Sequence, residues 1–328
     1  MSLRIKVSIL LIQIVLSLII NTGCMGQVNN ISDNNQKNIK VEVILKTSEN
    51  DFWQNVRVGA DAAGKEFSVN LSINSPLNES DVEDQITLVD NAIERKVDAI
   101  VLAASDFKKL VDVAEKAVNA GIPVIITDSE LDSTRISTFI ATDNKEAAIK
   151  AGNRLVEIAG KECNIAIMSF VKGAATSNQR LEGIYEAIKK YPKIKVLAIE
   201  YSLSDENIAE KHTKNILKKY PDINAIVALN GPSTIGTARA IEEMNLIGKV
   251  KIVGFDNING EIDYLEDNAI QAIVIQNPYN MGYLGVKYAV DVINKMNIAK
   301  TINTGSTVID KGNMYLPENQ KLLFPFIK

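Results

Sequence analysis

VDAIVLAASDFKKLVDVAEKAVNAGIPVIITD, residues 97–128, contains the clearest indication of the fold. Two short runs of Val, Ile and Ala flank a segment whose apolar residues recur at helical spacing, and Gly-Ile-Pro begins the second run. Alternation of β-branched runs with amphipathic helical segments is typical of a parallel sheet with helices on its faces. The stretch predicts a strand, a helix and a second strand, with Asp128 directly after the second strand.

The same pattern occurs again in residues 223–256, INAIVALNGPSTIGTARAIEEMNLIGKVKIVGFD. An apolar run again leads through a helical segment to a second run, and Asp256 ends the unit. Two lobes of like topology would produce such a repeat, each with an acid at the same edge of its sheet. We therefore predict an α/β protein of two similar lobes, which suits a chain of 328 residues better than one lobe.

Further apolar runs predict the rest of the two sheets, and the composition restricts the function. Strands are predicted at 41–47, 98–103, 123–127, 164–169, 194–200, 223–228, 250–254 and 270–275. Charged residues make up 23% of the chain, the formal net charge is -4, and no long run of Lys or Arg occurs. The chain therefore lacks the basic stripe of a nucleic-acid-binding protein, and we expect no nucleic-acid partner.

The N-terminus has the features of an export signal. Arg4 and Lys6 precede Val7–Ile20, an apolar run of about 14 residues, whereas a helix needs roughly 20 to span a bilayer. The run ends in Asn21-Thr22-Gly23-Cys24, which resembles a bacterial lipobox, although an aliphatic residue is usual three places before the cysteine. We predict that Cys24 is lipidated, with an ordinary secretory signal as the alternative.

The first part of the chain thus divides into two segments. Residues 1–23 are predicted to be a lipoprotein signal peptide, and residues 24–38 a flexible tether, because they are rich in Asn, Gln, Ser and Asp and almost free of apolar residues. The mature protein would be exported and held by its lipid on the outer face of the cell membrane or in the periplasm.

Ligands of open parallel sheets bind beyond the carboxyl ends of the strands, so residues that follow the strands are candidate contacts. These positions carry amides, carboxylates and three aromatic rings, a mixture that suits the hydroxyls and C–H faces of a sugar. The candidates are Lys46, Asn50, Phe52 and Trp53 after the first strand, Asp128 and Asn178 further on, and Asn230, Phe255, Asp256 and Gln276 in the second repeat.

Several candidates also have a structural interpretation. Asn50 would cap the helix that begins at Phe52, and each of the two aspartates would close a strand-to-helix turn. Phe52 and Trp53 cannot both lie at the centre of one buried stripe, since neighbours on a helix point about 100° apart. At least one of these rings is therefore free to face a cleft. Arg180 we interpret as a structural residue.

Several sequence blocks occur in the order seen in type I periplasmic sugar-binding proteins. They are Asn50-Asp51-Phe52-Trp53, Ala141-Thr142-Asp143-Asn144, Arg180-Leu181-Glu182-Gly183, Ala225 to Asn230, Gly254-Phe255-Asp256 and Gln276. The chain resembles the ribose-binding branch of that family over nearly the whole body after the tether. In that family two Rossmann-like lobes, joined by three hinge strands, close on the ligand and dock onto an ABC permease or sometimes a sensor.

The resemblance implies both contacts and boundaries. The implied ligand contacts are Asn50, Phe52, Trp53, Asp128, Asn230, Asp256 and Gln276. Crossovers are implied near Asp143, Gln276 and Ile309, which gives an N-terminal lobe of residues 39–142 plus 277–309 and a C-terminal lobe of residues 143–276 plus 310–328. We expect a monomer that requires no metal and no cofactor.

The departures from the ribose-binding pattern concern specificity. Ala103, Ser129 and Asn178 stand where ribose binders carry an asparagine and two arginines, so ribose itself is not the expected ligand. Lys46 replaces a small hydroxyl residue and would bring a positive charge into the cleft. That charge favours an anionic or oxidised sugar, and it also resembles relatives that bind the furanose-like autoinducer-2.

The main interpretation is an exported lipoprotein that captures a sugar or sugar-like ligand for an ABC importer and is not an enzyme. The only histidine, His212, lies on a polar helical stretch, and no phosphate-binding glycine loop is complete. A lipoprotein that reports its ligand to a membrane kinase or chemoreceptor stays open as an alternative, as does, with less support, an exported enzyme on the same fold. A transcription regulator would need a DNA-binding headpiece, and the sequence before Ile39 has no such pattern.

Overall fold

The computed structural model describes residues 39–324, which fold into two α/β lobes as the sequence predicts. The strands are β1 (Lys40–Ile44), β2 (Asn70–Asn74), β3 (Ala99–Leu102), β4 (Val124–Thr127), β5 (Thr138–Ala141), β6 (Cys163–Ser169), β7 (Ile194–Tyr201), β8 (Ala225–Ala228), β9 (Lys251–Phe255), β10 (Ala272–Ile275), β11 (Thr301–Asn303) and β12 (Thr307–Ile309). The helices are α1 (Asp51–Glu66), α2 (Val82–Glu94), α3 (Val111–Asn119), α4 (Asn144–Ala159), α5 (Ala175–Ile188), α6 (Glu206–Lys219), α7 (Gly231–Glu243), α8 (Glu261–Glu266), α9 (Pro278–Ile293) and α10 (Pro317–Leu323). The predicted signal peptide, the tether and Cys24 lie outside the described residues.

The two lobes have the same sheet topology. The strand order is β11-β5-β4-β3-β1-β2 in the first sheet and β12-β10-β9-β8-β6-β7 in the second. Every pairing in the first sheet is parallel, and the second differs only at β12, which runs antiparallel to β10. The two repeated sequence units form β3-α3-β4 and β8-α7-β9, at equivalent positions. The sequence repeat is therefore a repeat of structure.

Apolar strands form the centre of each lobe. Strands β3, β4, β8 and β10 are buried along their whole length, as expected of parallel strands between two layers of helices. In the first lobe α1 packs very closely on α9, since a Cβ added at Gly282 would lie 1.9 Å from the carbonyl oxygen of Val56. This close packing fixes the position of α1, whose first turn carries Phe52 and Trp53.

Among the helices within residues 39–324, none has the length and apolar character that a membrane span requires.

The chain crosses between the lobes three times. The first two crossings follow β5 and β10, because α4 packs in the core of the second lobe and α9 in that of the first. The third lies between β11 and β12, whereas the resemblance implied a position near Ile309. Thr307–Ile309 pairs with β10 and so belongs to the second sheet. A strand of three residues is too short for its side-chain pattern to indicate which sheet it joins.

Candidate ligand-binding site

Asp128 and Asp256 occupy equivalent positions at the ends of β4 and β9. Each donates its backbone N–H at 2.9 Å to the neighbouring strand, Asp128 to the Ile140 carbonyl and Asp256 to the Val274 carbonyl. Both backbones are left-handed, with φ of 60° and 78°. This conformation costs a non-glycine residue about 1 kcal/mol or more, and such strain concentrates at functional sites. The two acids are therefore structural counterparts, one on each lobe.

A cavity lies between the lobes, beyond the carboxyl ends of the strands, and contains about 340 Å³ that protein atoms do not fill. Eight of the ten residues predicted to contact a ligand line it, namely Lys46, Asn50, Phe52, Trp53, Asp128, Asn230, Asp256 and Gln276. The other lining residues are Glu79, Phe170, Thr176, Arg180 and Pro232. We refer to this space as the central cavity.

Two of the predicted ligand residues, Asn178 and Phe255, do not line the central cavity. Asn178 is exposed on α5, while Thr176 and Arg180 occupy the face of that helix that points inward. Phe255 ends β9 with its side chain fully buried in the core of the second lobe. Successive side chains of a strand point to opposite faces, so Phe255 points into the core of the second lobe and Asp256 points into the cavity.

The first lobe contributes a buried ion pair to the cavity. Lys46 Nζ lies 3.0 Å from Asp128 Oδ2, and the two side chains are only 3% and 5% exposed. The ammonium also lies 5.7 Å from the centroid of the Trp53 ring. The positive charge of Lys46 is thus matched within the protein. This pairing removes the reason for expecting an anionic ligand.

In the second lobe, Asp256 is the centre of a buried hydrogen-bond network. Its Oδ2 accepts from the Gly231 N–H at 2.9 Å, and its Oδ1 accepts from Gln276 Nε2 at 2.6 Å. Burial raises the pKa of the Asp256 carboxyl above its ordinary value, while the positive charge of Arg180 and these hydrogen bonds oppose the rise. The amide oxygen of Gln276, Oε1, is buried and accepts no hydrogen bond from residues 39–324.

Arg180 connects this network to the core. Its Nη1 donates to the Leu229 carbonyl at 2.7 Å, and its Nε donates to Asn144 Oδ1 at 2.8 Å. The guanidinium carbon lies 4.5 Å from the centroid of the Phe255 ring. Arg180 therefore has the structural role that the sequence predicts, and it also borders the central cavity.

Glu261, at the start of α8, is a second buried acid near Asp256. Its Oε2 accepts from the Ile258 N–H at 3.0 Å. Burial, together with the nearby charge of Asp256, raises the pKa of Glu261 well above its ordinary value of 4.5. Above pH 4.5 the folded chain therefore binds more protons at this group than the unfolded chain does. Linkage then requires that stability falls as the pH rises from about 4.5 towards the folded-state pKa.

Glu261→Gln is expected to weaken that fall, so that the variant gains stability relative to the wild type between pH 5 and pH 8. Urea unfolding at pH 5 and pH 8 measures the difference. Asp263→Asn, on the exposed side of the same helix, is the control and should leave the pH dependence unchanged. Equal pH dependence in Glu261→Gln and the wild type would contradict the assignment.

The aromatic part of the cavity comes from the first turn of α1. Asn50 caps this helix by accepting the Trp53 N–H at 3.3 Å. The rings of Phe52 and Trp53 meet edge to face, with centroids 5.1 Å apart, and both line the central cavity. The helical spacing predicted that at least one of these rings faces a cleft, and both do.

Glu79 is a site residue that the sequence analysis missed. It lies in the loop after β2, and that strand has no clear apolar run in the sequence. Its Oε1 accepts from Trp53 Nε1 at 2.7 Å, and its Oε2 accepts from Ser204 Oγ at 2.7 Å on the second lobe. The same Oγ accepts from Asn230 Nδ2 at 3.0 Å. Glu79 thus joins two predicted ligand residues across the cleft.

The site therefore offers donors, acceptors and aromatic faces from both lobes. Lys46 and Arg180 are the cations, Glu79, Asp128 and Asp256 the acids, and amides complete the lining. Across the described part of the chain, no three His, Cys, Asp or Glu side chains come together as they would around a metal ion. The arrangement is suited to binding a small polar molecule with many hydroxyl groups.

Comparison with known proteins identifies the class to which this fold and site belong. The family model of the periplasmic binding protein domain matches residues 41–297. The chain therefore belongs to the periplasmic binding protein family, and the resemblance noted in the sequence is confirmed.

Individual members of the family are similar over most of the chain. The D-allose-binding periplasmic protein of Escherichia coli (strain K12) is 29% identical over 257 residues, which cover 76% of this chain and 83% of that protein. The structure of an ABC transporter solute-binding protein from Agrobacterium vitis with bound D-fucose has a TM-score of 0.84 and 38% identity, and the match covers 87% of this chain and 99% of that one. A carbohydrate transporter solute-binding protein from Agrobacterium radiobacter, in complex with D-arabinose, has a TM-score of 0.85 and 30% identity, with 88% and 99% covered.

Proposed function

We propose that this protein captures a sugar between its two lobes outside the cytoplasm and delivers it unchanged to an ABC importer. The observation that carries the proposal is that two structurally equivalent acids, Asp128 and Asp256, reach one cavity from opposite lobes beside the rings of Phe52 and Trp53. Carboxylates accept hydrogen bonds from sugar hydroxyls, and aromatic rings pack against sugar C–H faces. The sugars that the related proteins bind support the same ligand class.

Ligand binding would act through lobe closure. A ligand stabilises the closed form only if it binds that form more tightly than the open form. A sugar that bonds to both acids at once would do so, because the two acids lie on opposite lobes. The buried Oε1 of Gln276 would then receive a hydrogen bond from a ligand hydroxyl. We also propose that the protein binds its ligand as a monomer, because the two lobes of one chain enclose the central cavity between them. The pairing of Lys46 with Asp128 favours a neutral sugar.

A thermal-shift screen of the purified full chain tests this function, because a ligand that binds only the folded state raises the unfolding temperature. The panel contains pentoses, hexoses, sugar acids, nucleosides and autoinducer-2. We expect a shift with one class of neutral sugar and recovery of that sugar intact after release. No shift with any compound would contradict sugar capture, and conversion of a compound would contradict the proposal that the ligand is unchanged.

Glu79→Ala is expected to weaken binding of the sugar found in that screen about tenfold or more, since the closed form loses a charged hydrogen bond from Ser204 and Trp53 loses its partner. Titration calorimetry measures the affinity, and X-ray scattering measures how compact the protein becomes when sugar is added. Glu83→Ala, at an exposed position on α2, is the matched control and should leave both unchanged. If Glu79→Ala and Glu83→Ala bind equally well, Glu79 has no part in closure.

We also propose that Cys24 carries the lipid that keeps the protein at the membrane. Two acyl chains anchor a protein far more firmly than one does. Cys24→Ser is expected to abolish incorporation of labelled palmitate and to move the protein from the membrane fraction to the soluble fraction. Cys163→Ser is the control, because that cysteine is buried in the second lobe. Palmitate labelling that persists in Cys24→Ser would overturn the assignment.

A further inference from the structure

A larger chamber adjoins the central cavity. It lies between α1, the start of α9 and α10, and it contains about 1220 Å³ not filled by protein atoms, part of it open to solvent. The chamber and the central cavity share three lining residues, Phe52, Asp256 and Gln276. These three side chains form the boundary between the two spaces.

The boundary contains an unused hydrogen-bond acceptor. Gln276 is only 7% exposed and is held by the bond from its Nε2 to Asp256 Oδ1. Its Oε1 is buried, and no donor approaches it within residues 39–324. A buried acceptor without a donor is costly, and an added ligand hydroxyl would supply the donor. The boundary is thus itself suited to contact a ligand.

The chamber has walls of the same mixed chemistry as the central cavity. The side-chain amides of Asn55 and Asn280 line it and have no hydrogen-bond partner in the described part of the chain. Val58, Ala62 and Leu322 give it an apolar surface. Amide groups combined with apolar surface suit a sugar ring, which has hydroxyls at its edge and C–H groups on its faces.

We propose that the natural ligand is a disaccharide or another glycoside, with its first sugar ring in the central cavity and its second, hydroxyl-bearing group in this chamber. The inference rests on the proposed function, since the first ring must be a sugar. A free monosaccharide would fill only the smaller space and leave the amides of the chamber to water. The second group then lies on the far side of Phe52, Asp256 and Gln276 from the first ring.

Titration calorimetry of the full chain tests the proposal with D-glucose, D-galactose, D-allose and D-arabinose, each compared with its methyl and glyceryl glycosides and with disaccharides that begin with it. One glycoside or disaccharide is expected to bind at least tenfold more tightly than its parent sugar. Ala62→Phe, which fills part of the chamber, should reduce this advantage to less than twofold and leave the affinity for the parent sugar unchanged. Asp61→Phe, on the exposed side of α1, is the control and should change neither.

Asn280→Ala gives a second route if Ala62→Phe does not fold, and it should weaken binding of the glycoside at least threefold without affecting the parent sugar. Parent sugars that bind as tightly as every glycoside would overturn the chamber proposal and leave the proposed function intact. The chamber proposal would also be overturned if Ala62→Phe lowered the affinity for the parent sugar as much as the affinity for the glycoside. If neither set binds and the thermal-shift screen also finds no sugar, the proposed function itself fails.

Discussion

Asp256→Ala is expected to lower the affinity for the sugar more than tenfold, which corresponds to about 1.5–3 kcal/mol for the loss of a hydrogen bond to a charged group. The carboxyl is only 6% exposed, and it is oriented by Gly231 and Gln276. Removing it takes away an acceptor for the ligand and also frees the Gln276 amide that it holds. Titration calorimetry with the wild type and the variant measures the effect.

Two further variants show whether this loss is specific. Asp263→Ala removes an exposed acid of the same lobe and is expected to bind normally. Asp128→Ala, the counterpart in the first lobe, is expected to lose affinity as well, and more so because it leaves Lys46 buried without its partner. An affinity within twofold of the wild type for Asp256→Ala would remove that residue from the site.

Arg180→Met is expected to reduce the free energy of unfolding by about 3–5 kcal/mol, because it leaves buried acceptors on Leu229 and Asn144 without a donor and deprives Asp256 of a nearby positive charge. Methionine keeps most of the apolar stem, so lost packing contributes little. The loss should be smaller at pH 5 than at pH 8. Without Arg180 the pKa of Asp256 rises further, and protonation relieves the buried charge.

Urea unfolding at the two pH values measures this stability change. Arg239→Met is the matched control, since Arg239 lies in the same lobe and pairs with Glu206 at the surface, where its side chain is 33% exposed. A surface pair of this kind contributes at most about 1 kcal/mol. If the two variants lose the same stability, Arg180 does not have the structural role assigned to it.

The repeated sequence units allowed the two-lobe fold and the pair of acids to be predicted, because strand-ending residues of parallel sheets meet at one edge. Asp128 and Asp256 follow long apolar runs, so their positions after β4 and β9 are clear in the sequence. The same reasoning could not separate Phe255 from Asp256. Both follow the apolar run of β9, and only the alternation at the strand end determines which of them faces the cavity.

Other parts of the site depend on contacts that leave no local pattern. Glu79 acts through Ser204, which is distant in sequence and lies on the other lobe. β2, with the sequence Asn-Leu-Ser-Ile-Asn, lies at the edge of its sheet and is only partly buried, so its polar residues obscure the strand. The third crossing comes slightly before the position near Ile309 that the resemblance implied, because β12 joins the second sheet by pairing antiparallel with β10. The charge of the site also depends on side-chain pairing. Lys46 alone suggests an anionic ligand, but in the structure Asp128 already pairs with its positive charge.

A crystal structure of the protein with the sugar identified by the thermal-shift screen would show whether the two lobes capture it. We expect the sugar to lie in the central cavity, with hydroxyls bonded to Asp128 and Asp256 and with the ring in contact with Phe52 or Trp53. A sugar bound to one lobe only, or on the outer surface away from both acids, would contradict capture between the lobes.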